Sequence, residues 1–211
     1  MERISEHVWW LAPGPPDRPS LCAVVGGRWT LAVDAGASRA HARLFLEGLP
    51  ERPAAVVYTH SHWDHVFGGV ELGALVVAHR LTVANLAAMA ELDWNDDANV
   101  NDDIRIELPG PRTVEIAPAD VVFDDALEFD LGGVTVHVRH VGGPHAADSA
   151  VVHVVEDRVL VLGDCLCDPP TPELEAAVLS FDAERYVEGH HPSISTRAEI
   201  EALLDELRDL H

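Results

Sequence analysis

Three short apolar runs open the chain: HVWWLA (7–12), SLCAVVGG (20–27) and WTLAVDAG (29–36). Glycine and proline punctuate them, so they read as strands joined by turns. ASRAHARLFLEGL (37–49) repeats its apolar positions with helical period and stops at Gly48 and Pro50. AAVVYTH (54–60) is then a buried strand, and ALVVAH (74–79) is another. RLTVANLAAMAEL (80–92) is a helix. From Trp94 to Pro118 the chain turns polar and Asp-rich, with Pro109 and Pro111, which predicts a loop or flap.

Strands return with ALEFDLGG (126–133), VTVHVRHV (134–141), SAVVHVVE (149–156) and RVLVLGD (158–164). PELEAAVLSF (172–181) predicts a helix, ERYVEG (184–189) a strand, and 195–210 a terminal helix. Ser195 or Thr196 with Glu199 forms that helix's N-terminal box. The strands fall into two blocks, each mixed with helices. Two sheets packed face to face with helices outside fit that order, in a single domain over 1–211.

Composition narrows the setting. The apolar fraction is 47%, enough for a sizeable core. No apolar stretch is long enough to span a membrane. The first residues lack a basic region followed by an apolar run, so a cytoplasmic location is expected. There are 14 basic against 36 acidic residues, net charge −22, and every basic residue is Arg. A surface this acidic repels nucleic acid and anionic membranes. The three cysteines, Cys22, Cys165 and Cys167, suggest no disulfide framework, and CLC is too tightly spaced for a zinc knuckle.

The chemistry sits in YTHSHWDHVFGG (58–69), where His60, His62, Asp64 and His65 fall within six residues. Imidazole nitrogen with carboxylate oxygen suits zinc, iron or manganese. On an extended strand His60 and His62 point the same way. A turn and a helix start near Asp64 then aim Asp64 and His65 at a neighbouring position. Further ligands must come from elsewhere. His145 in GGPHAADS, Asp164 in LVLGDCL, and His190 and His191 in VEGHHP each follow an apolar run beside a glycine. Loops at strand ends are where rigid scaffolds mount chemistry.

The order His-x-His-x-Asp-His, His, Gly-Asp, Gly-His resembles the metallo-β-lactamase superfamily of metallo-hydrolases. The likeness runs from Asp34 in LAVDAG to the last histidine. It implies an α/β (α+β) fold, an αββα four-layer sandwich. It implies that His60, His62 and His145 hold one divalent metal ion, that Asp64, His65 and His190 hold a second, and that Asp164 bridges both. His190 is preferred to His191 because it directly follows the glycine. Asp34 matches the family's buried aspartate that orients a ligand. The implied activity is a binuclear hydrolase, with zinc the expected metal and iron or manganese compatible. A metal-bridging hydroxide attacks a small ester, lactone or thioester, and Asp64 also shuttles the proton.

Departures from other branches narrow the substrate. Asp164 is present with Cys165 beside it, which resembles the glyoxalase II and lactonase branches rather than the true β-lactamases. The absence of lysine points the same way. The mostly acidic last helix speaks against a glutathione thioester. A small neutral substrate remains, with no nucleic-acid or membrane partner. Two rivals share the motif. One is a mononuclear iron persulfide dioxygenase using His60, His145 and Asp164. The other is a non-catalytic metal-binding member. Trp10, Trp94 and Tyr186 are candidates for the pocket. His140 reads as a core histidine, His137, His41 and His153 as surface residues, and His79 as a cap for the helix after it.

Overall fold

The computed structural model describes residues 1–208. The first seven strands form one sheet in sequential order: β1 (Glu2–Arg3), β2 (Val8–Leu11), β3 (Leu21–Val25), β4 (Thr30–Val33), β5 (Ala55–Val57), β6 (Leu75–His79) and β7 (Val121–Phe123). The second sheet runs in the order β13-β12-β11-β10-β9-β8. Its strands are β8 (Ala126–Asp130), β9 (Thr135–His140), β10 (Ala150–Val154), β11 (Val159–Gly163), β12 (Arg185–Glu188) and β13 (Ser195–Thr196). The helices are α1 (Arg39–Gly48), α2 (Trp63–Val66), α3 (Gly69–Leu72), α4 (Arg80–Ala90), α5 (Asp102–Glu107), α6 (Pro172–Leu179) and α7 (Arg197–Arg208).

Strand alternation sorts the apolar residues into three layers. Cys22, Val24, Leu31 and Val33 face inward against Val136, Val138, Val152 and Val161 of the other sheet. Their neighbours Leu21, Ala23, Ala32 and Val56 face outward against Phe45 of α1 and Leu86 of α4. On the far side Val151, Leu160 and Leu162 pack on Leu174 and Val178 of α6 and Ile200 and Leu204 of α7. These central strands are covered on both faces, which is why they read as continuous apolar runs. The result is the four-layer αββα sandwich. Ile200 and Leu204 are fully buried, and truncating either to Ala should cost ~2–5 kcal/mol.

Several expectations need correction. The polar 94–118 segment contains a 3₁₀ turn at Asp97–Asn99 and the helix α5. The Asn101 side chain accepts the Ile104 N–H at 2.8 Å, and Asp102 and Asp103 occupy the first turn, a favourable start against the helix dipole. The strands β1, β7 and β13 carried no recognisable pattern. The strand before the histidine cluster ends at Val57, so His60 and His62 lie beyond it and strand alternation does not orient them. His41 and His153 are buried. His140 is half-buried and stacks on His79, with ring centroids 3.8 Å apart. His79 does cap α4, accepting the Leu81 N–H at 3.3 Å. Thr196 forms the box with Glu199, each backbone N–H reaching the other's side chain. Asp209 and Leu210, read as the end of the last helix, lie outside the described residues. No helix among the described residues is long and apolar enough to cross a membrane.

Candidate metal centre

The cluster forms where loops from both sheets meet. β4 ends at Val33, and Asp34 follows it with a left-handed backbone φ of 60°, uncommon outside glycine, asparagine and aspartate. That turn aims the buried carboxylate at the 59–65 segment. It accepts the Thr59 N–H at 2.7 Å, the Thr59 hydroxyl at 2.8 Å and the His65 Nδ1–H at 2.8 Å. A carboxylate only accepts, so His65 carries its proton on Nδ1 and turns Nε2 inward. The Thr59 hydroxyl proton is committed to Asp34. Its oxygen therefore accepts from His60 Nδ1 at 3.1 Å, and His60 Nε2 also faces inward. The short helix α2 then presents Asp64 and His65 together. Thr59 O accepts the Ala150 N–H at 2.7 Å, tying this loop to the second sheet.

Three loops of the second half supply the remainder. His145 follows β9, and its Nδ1 donates to Asp168 Oδ2 at 3.0 Å, leaving Nε2 free to turn inward. Asp164 follows β11 after Gly163, which has φ 54°. His190 follows Gly189, where any Cβ would come within 1.8 Å of Asp164 Oδ1. Glycine there lets the two loops close on each other.

Four imidazole nitrogens converge on one oxygen, Asp164 Oδ2: His65 and His190 Nε2 at 3.3 Å, His145 Nε2 at 3.5 Å and His60 Nε2 at 3.9 Å. Asp64 Oδ2 lies 3.1 Å from His190 Nε2 and 3.3 Å from His65 Nε2. His62 Nδ1 lies 3.1 Å from His145 Nε2. Two sets of potential ligand atoms result, each within 4.8 Å: His60, His62, His145 and Asp164, and Asp64, His65, Asp164 and His190. His191 turns away, with Nδ1 on Ser193 O at 3.0 Å. His60 Nε2, His65 Nε2 and Asp164 Oδ1 are buried without a hydrogen-bond partner. Orphaned polar atoms at such depth are costly unless something else satisfies them. Nitrogen and carboxylate donors are what a divalent cation takes, so the residues fit one.

Residues 15–209 match the family model described as the metallo-beta-lactamase superfamily. The chain belongs to the metallo-β-lactamase superfamily. Among solved structures, a metallo-beta-lactamase from Pontibacter korlensis is 21% identical, covering 99% of this chain and 98% of that one with a TM-score of 0.74. A metallo-beta-lactamase family protein from Thermus thermophilus is 19% identical, with coverages of 98% and 81% and a TM-score of 0.70. One from Cronobacter sakazakii is 17% identical, with coverages of 99% and 91% and a TM-score of 0.70. At those identities the likeness speaks for the fold. No curated protein matches the chain.

The candidate ligands of this metallo-β-lactamase superfamily member differ in how their surroundings shift them. Burial, reinforced by neighbouring histidines, holds the His60 and His62 pKa values below normal, so both stay neutral. Burial would also lower His65, but Asp164, Asp64 and Asp34 outweigh it and raise it well above normal. Burial opposes the rise at His190 too, yet hydrogen bonds to Asp164 and Asp64 lift it to about 10. Burial would raise Asp64 and Asp164, but His65 and His190 hold both well below the usual carboxylate range.

A cavity of about 450 Å³ opens over the cluster, with Asp17, Trp63 and Cys167 on its walls beside the ligand candidates. Asp17, from the β2–β3 turn, lies 3.4 Å from His190 Nδ1. No sequence motif marks Asp17, Trp63, Cys167, Asp168 or Thr59 as part of the site. Asp17 falls in the proline-rich turn between β2 and β3, and the Asp168 contact joins two separate loops, so neither carries a local sequence signal. Two pocket candidates need correction. Trp10 packs between the sheets, and Tyr186 lies under α6 and α7 with its hydroxyl bonded to Ala183 O at 3.3 Å. Trp94 does line a groove beside His62.

Proposed function

We propose that this protein is a binuclear metal-dependent hydrolase, with zinc the expected metal, that cleaves a small neutral ester, lactone or thioester. The convergence of two ligand sets on the shared carboxylate of Asp164 carries this reading. His60, His62 and His145 would hold one ion, and Asp64, His65 and His190 the other. When bound, two such cations lower the pKa of a shared water to about 7 and polarise a carbonyl oxygen. The chain supplies the rest. Asp34 and Asp168 fix His65 and His145 by accepting their Nδ1 protons. Asp64 lies on the cavity wall with Asp17 and Asp164, and in this reading it takes and returns a proton. The described cavity wall contains no Arg, and its carboxylates, Asp17, Asp64 and Asp164, would repel an anionic substrate.

The test is elemental analysis of protein purified without added metal, followed by a panel of esters, lactones and thioesters. About two zinc ions per chain, with turnover lost on chelation and restored by zinc, is the expected result. One iron per chain with oxygen uptake on persulfides would replace this reading with an oxidoreductase. Two bound metals and no turnover across the panel would leave a non-catalytic member.

A further inference from the structure

Beside the metal cavity lies a second depression, a groove of about 380 Å³ between α4 and the 94–104 segment. Trp63, Ala88, Met89, Trp94 and Ile104 line it together with His62. His62 and Trp63 also line the metal cavity, so the two spaces adjoin at these residues. The groove leaves a charged ligand group nothing to pair with. Its two amide side chains donate inward, Asn85 Nδ2 to Ser61 Oγ at 2.8 Å and Asn99 Nδ2 to Asp93 O at 2.9 Å. His62 is its one ionisable lining residue. Its wall is already assembled. Trp94 meets Phe67 edge-on at 4.7 Å, and Phe67 meets Trp63 at 5.8 Å. A fixed aromatic wall binds apolar chains at little ordering cost.

We infer that this groove is the subsite for an uncharged, straight apolar chain of the substrate, which leaves the reacting bond over the metals and runs past His62 between Trp63 and Trp94. The inference rests on the hydrolase reading for the position of the reacting bond. The groove itself can be tested without turnover.

The experiment is calorimetric titration of the metal-loaded protein with butanamide, hexanamide and octanamide, neutral compounds used as binding probes. Affinity should rise about fourfold per methylene, the factor expected for a buried CH₂. Ala88 sits on the exposed face of α4, so Ala88→Trp can fill the groove without disturbing the core. That variant should keep its metal content and lose at least tenfold in octanamide affinity. An affinity that does not change with chain length would overturn the subsite. So would octanamide binding that survives Ala88→Trp in a folded, metal-replete variant. If esters are hydrolysed, the ratio of kcat/KM for octanoate over acetate esters should fall in the variant. If the amides bind with this dependence but no ester turns over, the groove stands and the hydrolase reading fails.

Discussion

Asp64, His65 and Asp164 are almost fully buried, whereas His62 is exposed and His145 half-exposed. On the buried side, His65 is clamped by Asp34, itself anchored by Thr59, so one ligand is fixed by a closed network. On the open side His145 leans on Asp168, a side chain 54% exposed. The contrast separates two duties. The buried side is pre-organised. On the open side His62 borders both the metal cavity and the apolar groove, and this is where a substrate can approach. The shared carboxylate of Asp164 couples them.

The comparison breaks most completely at Asp164. Asp164→Ala removes the oxygen on which four histidines converge and strips His65 and His190 of one of their carboxylate partners. Metal content should fall from about two ions per chain to less than one, and turnover by on the order of 10³-fold, the equivalent of several kcal/mol of lost stabilisation. A variant that keeps two metals and full turnover would show that the two positions are not joined there.

Asp34→Asn acts on the buried side alone. Asparagine tolerates the left-handed backbone at this position, so the turn should survive. The amide cannot match the carboxylate's hold on Thr59 and His65. Affinity for the more deeply buried metal should drop about 10–100-fold, the usual cost of losing a ligand's orienting partner. Chelator competition should show the other metal much less affected. Equal loss of both would mean that Asp34 does not act on the buried side alone.

His41 carries the contrast into pH. It packs under the turn after Asp34, its Nδ1 accepting the Ala37 N–H at 3.2 Å. Burial, with Arg18 nearby, pushes its pKa down to about 3. An unfolded histidine titrates near ~6.5, so the folded state resists a proton that the unfolded state accepts. The contribution is complete above about pH 6.5 and is lost as pH falls toward about 3, at roughly 1.4 kcal/mol per pH unit. Urea unfolding at pH 7, 6 and 5 should show wild type losing stability relative to His41→Gln with that slope. Parallel curves would place the acid sensitivity elsewhere.

How much of this was legible depended on whether a local pattern recorded it. The central strands were visible because both faces are buried, which leaves unbroken runs such as VLVL at 159–162. The 60–65 cluster was visible because one loop and the first turn of α2 carry four of its groups side by side. His145, Asp164 and His190 stood out at strand ends, but only likeness to a family linked them to the cluster. Burial of single residues left no periodic trace. His41 and His153 sit in covered positions because of what packs over them, and Trp10 and Tyr186 became core rather than pocket for the same reason. α5 was hidden because its capping asparagine and first-turn aspartates make a helix start look like a polar loop. Asp168 lies 23 residues from the histidine it orients, a pairing that only the folded chain reveals.

That pairing gives the smallest expected effect and the finest test of the contrast. Asp168→Asn replaces a charged acceptor with a neutral one at an exposed site, where such interactions are worth about 0–1 kcal/mol. The His145 Nδ1–H can still donate to the amide oxygen, so the imidazole keeps its tautomer with less hold on its angle. Affinity at the open position should fall only a few-fold, and the buried position should not respond. Raising the salt concentration should shrink the gap between wild type and variant, because an exposed charge is screened. A loss as large as that of Asp34→Asn would mean that His145 is held as firmly as His65. The asymmetry would then lie in exposure alone, not in how the ligands are anchored.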